Sequence, residues 1–227
     1  MPQSICLNMI VKDEEHVIES TLTNILENVP ITTWIISDTG SSDNTKKVIS
    51  SFFKKRKIKG KIFDDEWKDF GHNRSKALEH AYDKSDYLLI FDADDSFSGK
   101  IVIPDNLTHD GYHLTFGSAD YAYKRVLLVN NRKRWKFEGV LHEYIAPIDH
   151  TPSFGDILGN YSVNSGKSGA RSKDPDKYKK DALILEKAYY EAKSQNNDIY
   201  TRYGYYCAQS YHDARMKDEA IKWFKIN

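Results

Sequence analysis

No membrane span, no disulfide framework and no excess of one charge can be found in this sequence, and each absence removes a class of function. None of its apolar runs approaches the ~20 residues that cross a bilayer. Its 33 basic and 33 acidic residues cancel, so there is no global footprint for nucleic acid or a membrane surface. The two cysteines, Cys6 and Cys207, lie in apolar segments far apart in the chain. Buried free thiols are expected there, which fits a reducing, cytoplasmic setting. Met1-Pro2-Gln3-Ser4 runs straight into an apolar stretch, so no signal peptide is expected. Three familiar motifs also fail. No Gly-x-Gly-x-x-Gly follows the first strand, which argues against a dinucleotide cofactor. Gly166-Lys167-Ser168 ends like a phosphate-binding loop, but the glycine needed five residues earlier is Tyr161. His142-Glu143 opens like a zinc-protease helix, but the position of its second histidine holds Ala146.

What is present is a regular alternation. The 227 residues suffice for one substantial α/β domain and a small appendage. Apolar runs at 4–11, 33–37, 58–63 and 87–91 read as strands. Helical spacing separates them: after Asp13, through Val48, Ile49, Phe52 and Phe53, and over 70–82 with Ala77, Leu78 and Ala81 inward. Asp13 is placed to cap the first helix. Four strands alternating with helices predict a mostly parallel sheet with helices on both faces. Beyond Asp95 the rhythm changes. Strands are expected at 111–116, 121–129, 133–137, 143–148 and 157–163, with Asn130-Asn131 as a hairpin turn. A polar loop over 164–173 leads to Asp174-Pro175, a helix start. In the tail, Ala208, Tyr211, Ala220 and Phe224 fall at the spacing of a tetratricopeptide unit. A single unit cannot bury its own face, so the tail is expected to be the truncated start of a longer repeat array. Residues 1–172 and 173–227 are the two expected domains.

The chemistry concentrates where strands end. The run from Tyr87 to Phe91 stops at Asp92, Ala93, Asp94 and Asp95. In open α/β sheets that edge binds ligands. Crowded carboxylates repel one another, and hard oxygen donors suit Mg²⁺ or Mn²⁺. Lys12-Asp13-Glu14 and Asp38-Thr39-Gly40-Ser41 leave the ends of two other parallel strands. Asp38 suits a base N–H, and Gly40 and Ser41 offer close backbone approach. Arg74, within Asn73-Arg74-Ser75-Lys76, suits a phosphate. Taken singly, these are a solvated acidic turn, a capping acid, a turn glycine and a surface arginine. Their order along the chain argues for one site.

Several segments resemble glycosyltransferase family 2, nucleotide-sugar enzymes of the GT-A fold. They are Met9-Ile10-Val11-Lys12-Asp13-Glu14-Glu15, Ser37-Asp38-Thr39-Gly40-Ser41-Ser42-Asp43-Asn44-Thr45, Asn73-Arg74-Ser75-Lys76-Ala77-Leu78 and Phe91-Asp92-Ala93-Asp94-Asp95. Trp135 to Glu143 looks like the Trp-x-x-x-Gly-x-x-His-Glu segment of a branch with tetratricopeptide tails. The resemblance implies an inverting, metal-dependent hexosyltransferase. It would use a UDP-sugar and a protein, glycan or lipid-linked acceptor, and could self-associate through the tail. Val11 and Asp38 would hold the base, and Arg74 the diphosphate. Asp92 would face the ribose, and Asp94 would bind Mn²⁺ or Mg²⁺. Lys12, Asp13, Glu14, Gly40, Ser41, Asn73, Lys76, Ala93 and Lys167 complete the donor set. Glu143 is the first choice of general base and Glu138 the second. Where this branch carries a metal-binding histidine the chain has Asn164, so His142 is the candidate third ligand beside Asp92 and Asp94. Two alternatives stay open: a nucleotidyltransferase or phosphohydrolase using the same acids, and a non-catalytic nucleotide-sugar binding module.

Overall fold

The computed structural model describes residues 2–117, 121–166 and 168–226. It divides into two compact units. The first comprises Met1–Lys68, Asn73–Lys136 and Ile145–Ala170, and the second Asp69–His72, Phe137–Tyr144 and Arg171–Asn227.

The first unit is built on one mixed sheet, nine-stranded among the described residues. Its parallel half follows the expected alternation: β1 (Ile5–Val11), α1 (Ile18–Asn28), β2 (Ile31–Asp38), α2 (Thr45–Arg56), β3 (Lys59–Asp64), α3 (Phe70–Ala81) and β4 (Tyr87–Ile90). The period of two along β1 explains the two-sided burial. Ile5, Leu7, Met9 and Val11 join Ile18, Leu22 and Ile25 of α1 and Ile49, Phe52 and Phe53 of α2 in one core. Asn8 points the other way, and its amide donates to the carbonyls of Ile35 (3.1 Å) and Ala77 (3.0 Å), which ties α3 to the opposite face.

The remaining strands are β5 (Ser96–Ile101), β6 (Gly111–Gly117), β7 (Ala122–Asn130), β8 (Trp135–Glu138), β9 (Tyr144–Pro147), β10 (Phe154–Asp156) and β11 (Gly159–Asn164). The sheet order is β3-β2-β1-β4-β7-β6-β11-β5, with β10 on β6. Strand β7 runs antiparallel to β4 and β6, which turns a parallel sheet into a mixed one. Three expectations need correction. Strand β5 was not foreseen, because Ser96, Ser98, Gly99 and Lys100 hide its period; its pairing to β11 defines it. Asn130-Asn131 makes a turn but no hairpin, since both edges of β7 are already taken and β8 pairs β9 in a separate sheet. Asp13 does not cap α1. The helix starts at Ile18, and Asp13 sits in the left-handed region at φ 56°.

The second unit has its own core. Helices α4 (Lys177–Ser194), α5 (Ile199–Asp213) and α6 (Lys217–Ile226) pack in sequence. Leu141, Leu185, Tyr189, Cys207, Ala208, Tyr211, Ala220 and Trp223 are buried together. Phe224, expected to share that face, is half exposed. Helix α4 begins three residues beyond Asp174, whose carboxylate instead accepts the amide of Asp176 at 3.0 Å. Both cysteines are buried free thiols. Among the described residues no helix is long and apolar enough to cross a membrane.

Candidate active site

The parallel register brings the ends of β1, β2 and β4 to one edge, and short polar loops leave from each. The first two loops are braced against each other. The amide of Asp13 donates to Ser41 Oγ (3.0 Å), and Asp13 Oδ1 accepts the amide of Ser42 (2.7 Å). The amide of Glu14 donates to Thr45 Oγ1 and that of Asn44 to Glu15 Oε2, both at 2.7 Å. The left-handed turn at Asp13 makes this brace possible, a conformation that Asp adopts more readily than most residues. Val11 is buried, and its carbonyl accepts both the amide and the hydroxyl of Thr39. Lys12 is exposed.

Asp38 is fully buried. Its Oδ1 accepts the amides of Gly40 (3.0 Å) and Ser41 (2.8 Å), while Oδ2 is buried without a hydrogen-bond partner among the described residues. Gly40 has φ +102° and open space where a Cβ would stand, so it is the backbone angle that requires glycine there. Beneath Asp38, Asp65 accepts from Ser37 Oγ at 2.6 Å and pairs with His80 at 3.0 Å.

At the end of β4 the acids meet different partners. The Arg74 guanidinium lies 2.5 Å from Asp92 Oδ1. Burial pushes the Asp92 carboxyl up, but Arg74 and then Arg125 outweigh it and hold the group below the usual range. Asp95 is buried, and the charge of Arg125 lowers it by less than burial raises it. Desolvation first, then the charge of Asp92, raises it to about 7 against the amide of Gly166, which donates to Oδ1 at 2.9 Å. Asp94 Oδ2 accepts the amide of Gly169 at 2.9 Å, and Glu14 Oε1 that of Ala170 at 3.3 Å. The segment after β11 therefore lies directly on this edge. A Cβ at Gly166 would come within 2.1 Å of the Asp94 carbonyl. A Cβ at Gly169 would lie 2.9 Å from Asp94 Oδ2 and 3.2 Å from Glu14 Oε1.

The other expected residues are placed as follows. Asn73 is fully buried and braces loop 66–68, donating to the Glu66 carbonyl and accepting the Lys68 amide. Lys76 is half-buried and pairs with Glu79. Ala93 is buried between the acids. Lys167 lies outside the described residues. Glu138, His142 and Glu143 belong to the second unit. There Tyr144 Oη donates to Glu138 Oε2 at 2.6 Å. His142 has φ 53°, stacks on Tyr206 at 4.0 Å, and its carbonyl accepts from Arg202 Nε. Desolvation, then the charges of Arg202, Arg171 and Lys177 working against Glu143, pull its pKa down to about 4. Asn164 closes β11 and is exposed. Among the described residues no group of three or more His, Cys, Asp or Glu is arranged to hold a metal ion. Sequence reasoning missed Arg125, whose position beside Asp92 depends on the register of β7. It also missed the amides of Gly166, Gly169 and Ala170, which depend on where a loop folds back.

Residues 6–109 match the model of glycosyl transferase family 2. That segment carries the first three loops of the edge and ends before Glu138. No curated protein matches the chain. Among solved structures, the mannosyltransferase PcManGT from Pyrobaculum calidifontis, in complex with GDP-Man and Mn²⁺, is 21% identical over 42% of this chain and 29% of its own, at a TM-score of 0.37. Glucosyl-3-phosphoglycerate synthase from Mycobacterium tuberculosis, in complex with Mn²⁺, UDP and glucosyl-3-phosphoglycerate, is 18% identical over 41% of this chain and 34% of its own, at 0.33. TarS 1-349 from S. aureus, in complex with UDP-GlcNAc, is 13% identical over 94% of this chain and 74% of its own, at 0.47. The chain thus spans about a third of the length of the first two.

Proposed function

From its family 2 glycosyl transferase segment, we propose that this chain moves a sugar from a UDP-sugar to an acceptor hydroxyl, with inversion and with the help of a divalent ion. The observation that carries this reading is Asp38. A fully buried carboxylate whose second oxygen has no partner among the described residues, standing at a strand end, calls for an N–H donor from outside the chain. The imide of uracil supplies one. Gly40 and Ser41 leave the backbone close to the base, and Val11 walls it. Arg74 pairs Asp92 now and offers its guanidinium to a diphosphate.

The donor set fits a divalent ion of the kind that takes one or two protein carboxylates and completes its shell with phosphate and water. Asp94, with Asp92 beside it, is the proposed holder. The space a Cβ at Gly169 would fill, close to oxygens of Asp94 and Glu14, is a cradle of hard donors. Bound there, the ion would neutralise charge developing on the departing diphosphate. His142 is the proposed further ligand; its lowered pKa keeps the imidazole neutral, the form that binds metal.

In the proposed step the acceptor oxygen attacks the anomeric carbon and the bond to the diphosphate oxygen breaks. UDP takes the electron pair, and the acceptor proton passes to a carboxylate, Glu143 first and Glu138 second. Helices α4 to α6 are read as a tetratricopeptide-like surface for a protein partner or a second copy.

The test is a calorimetric titration of UDP, with and without Mn²⁺, into the native chain and Asp94→Ala, joined to a hydrolysis screen of UDP-sugars. Metal-dependent UDP binding that the variant loses, with turnover of one sugar, is the expected result. Binding without turnover would leave a binding module. No UDP binding under any metal condition would return the acidic edge to a nucleotidyltransferase reading.

A further inference from the structure

Strand β7 carries the site's edge outward. Strand β7 pairs β4 antiparallel, Asn130 to Leu128 opposite Tyr87 to Leu89, and beyond that pairing the two chains continue to Arg125 and to Asp92. The charge of Arg125 acts on both Asp92 and Asp95. From Arg125 toward the β6–β7 tip, β7 runs past the end of β4, so its side chains overhang the acidic edge. Two side chains there, Tyr123 on β7 and Tyr121 just before it, are unusual for such a place. Tyr121 is 72% exposed and Tyr123 is 40% exposed. Their ring centroids are 5.9 Å apart. Tyr123 stacks on the buried Phe116, its cross-strand partner, at 5.3 Å and 25°. Arg125 lies over the same Phe116 ring, 5.1 Å from its centroid. Phe116 thus anchors a short aromatic ladder from below, and the ladder leads from the acids into solvent.

The sheet order gives the ladder its place. Across the edge run β2, β1, β4 and β7. Asp38 ends β2 and Asp92 to Asp95 follow β4, so the ladder lies on the far side of the acids from the proposed base pocket. The other basic group nearby, Lys124, pairs with Asp156 at 2.6 Å, so a polyanion finds little there. What remains is two tilted, uncharged, rigid rings with hydroxyl tips. An aromatic face is electron-rich and attracts polarised C–H groups, while the phenol takes hydrogen bonds. A pyranose offers that combination, a C–H face with hydroxyls around its rim.

We propose that Tyr121 and Tyr123, with Arg125 at their inner end, form an acceptor subsite for a neutral saccharide, so that the acceptor of this chain is a glycan. This rests on the glycosyl-transfer reading above and adds the class of acceptor to it.

The experiment is saturation-transfer NMR of the full chain with cello-, malto-, chito- and manno-tetraose, each at millimolar concentration. It is run on the native protein, on Tyr121→Ala/Tyr123→Ala and on Tyr121→Phe/Tyr123→Phe, with UDP affinity measured on the same samples. The expected result is ring-to-sugar transfer for at least one tetraose, about tenfold weaker binding in the alanine pair and most of it restored in the phenylalanine pair. UDP affinity should stay within twofold in both. No transfer from any tetraose, or transfer that survives the alanine pair, overturns the proposal. So does an alanine pair that loses UDP as well, because the rings would then belong to the donor site. Failure of UDP to bind the native chain would instead remove the donor reading, and the saccharide signal would be read separately.

Discussion

Carboxylates gather in two regions of this molecule, and the two handle their charge differently. At the end of β4, Asp92 faces the permanent cation Arg74, and Asp94 and Asp95 take backbone amides. These donors hold still and cannot accept a proton, so the region is preorganised to keep and counter charge. In the segment from Glu138 to Glu143, a phenol donates to Glu138 and a neutral imidazole stands beside Glu143. A phenol orients the carboxylate it donates to, and the imidazole carries no charge of its own near neutral pH. The first arrangement suits binding a charged group, the second holds the proposed proton acceptors, and the contrast can be broken or sharpened by experiment.

The largest effect is expected from Glu143→Gln. Sugar transfer should fall by about 10²–10⁴-fold with UDP affinity unchanged, as loss of a general base requires. If Glu143→Gln is silent and Glu138→Gln carries the loss, the base assignment moves to Glu138. Next comes Asp94→Ala, which should weaken Mn²⁺-dependent UDP binding about a hundredfold; calorimetry reads it, and metal-free UDP binding should change little. Arg74→Met follows. It leaves Asp92 without its closest cation and should lower stability by about 1–3 kcal/mol, seen as a lower denaturation midpoint at unchanged slope.

A further contrast separates the regions by pH, in chelator. Folded Asp95 holds its proton up to about pH 7 and an unfolded aspartate only up to about 4. The folded state therefore binds the extra proton, and this contribution to stability is full below pH 4 and lost as pH rises to 7. His142 has the opposite sign. The unfolded ring keeps its proton to about 6.5 and the folded ring only to about 4, so its contribution rises across that window, by less than a fully buried ring would give. Thermal melts from pH 4 to 7 should therefore steepen downward in His142→Gln and upward in Asp95→Asn. Equal slopes in all three proteins would show that neither group is held as described.

Much of this was readable in the chain. The apolar runs of β1, β2 and β4 and the helical spacing between them have strong periods of their own, so local pattern decided the parallel half. Strand ends in such a sheet share an edge, and that places Asp38, Asp92 and Asp94 along one edge. Other features depended on partners remote in sequence, which no local period encodes. Strand β5 exists because β11 pairs it across 58 residues, from Ile101 to Gly159. Asp13, expected as a cap, became a brace because Ser42 offered its amide. Arg125 came beside Asp92 through the antiparallel register of β7. Asp92 and Asp95, three residues apart and alike in sequence, part in their affinity for protons because only one of them meets Arg74. The sequence by itself determined that the carboxylates Asp38, Asp92, Asp94 and Asp95 stand at strand ends along one edge. The tertiary structure decided which of them are countered, because charge compensation is set by distance in space.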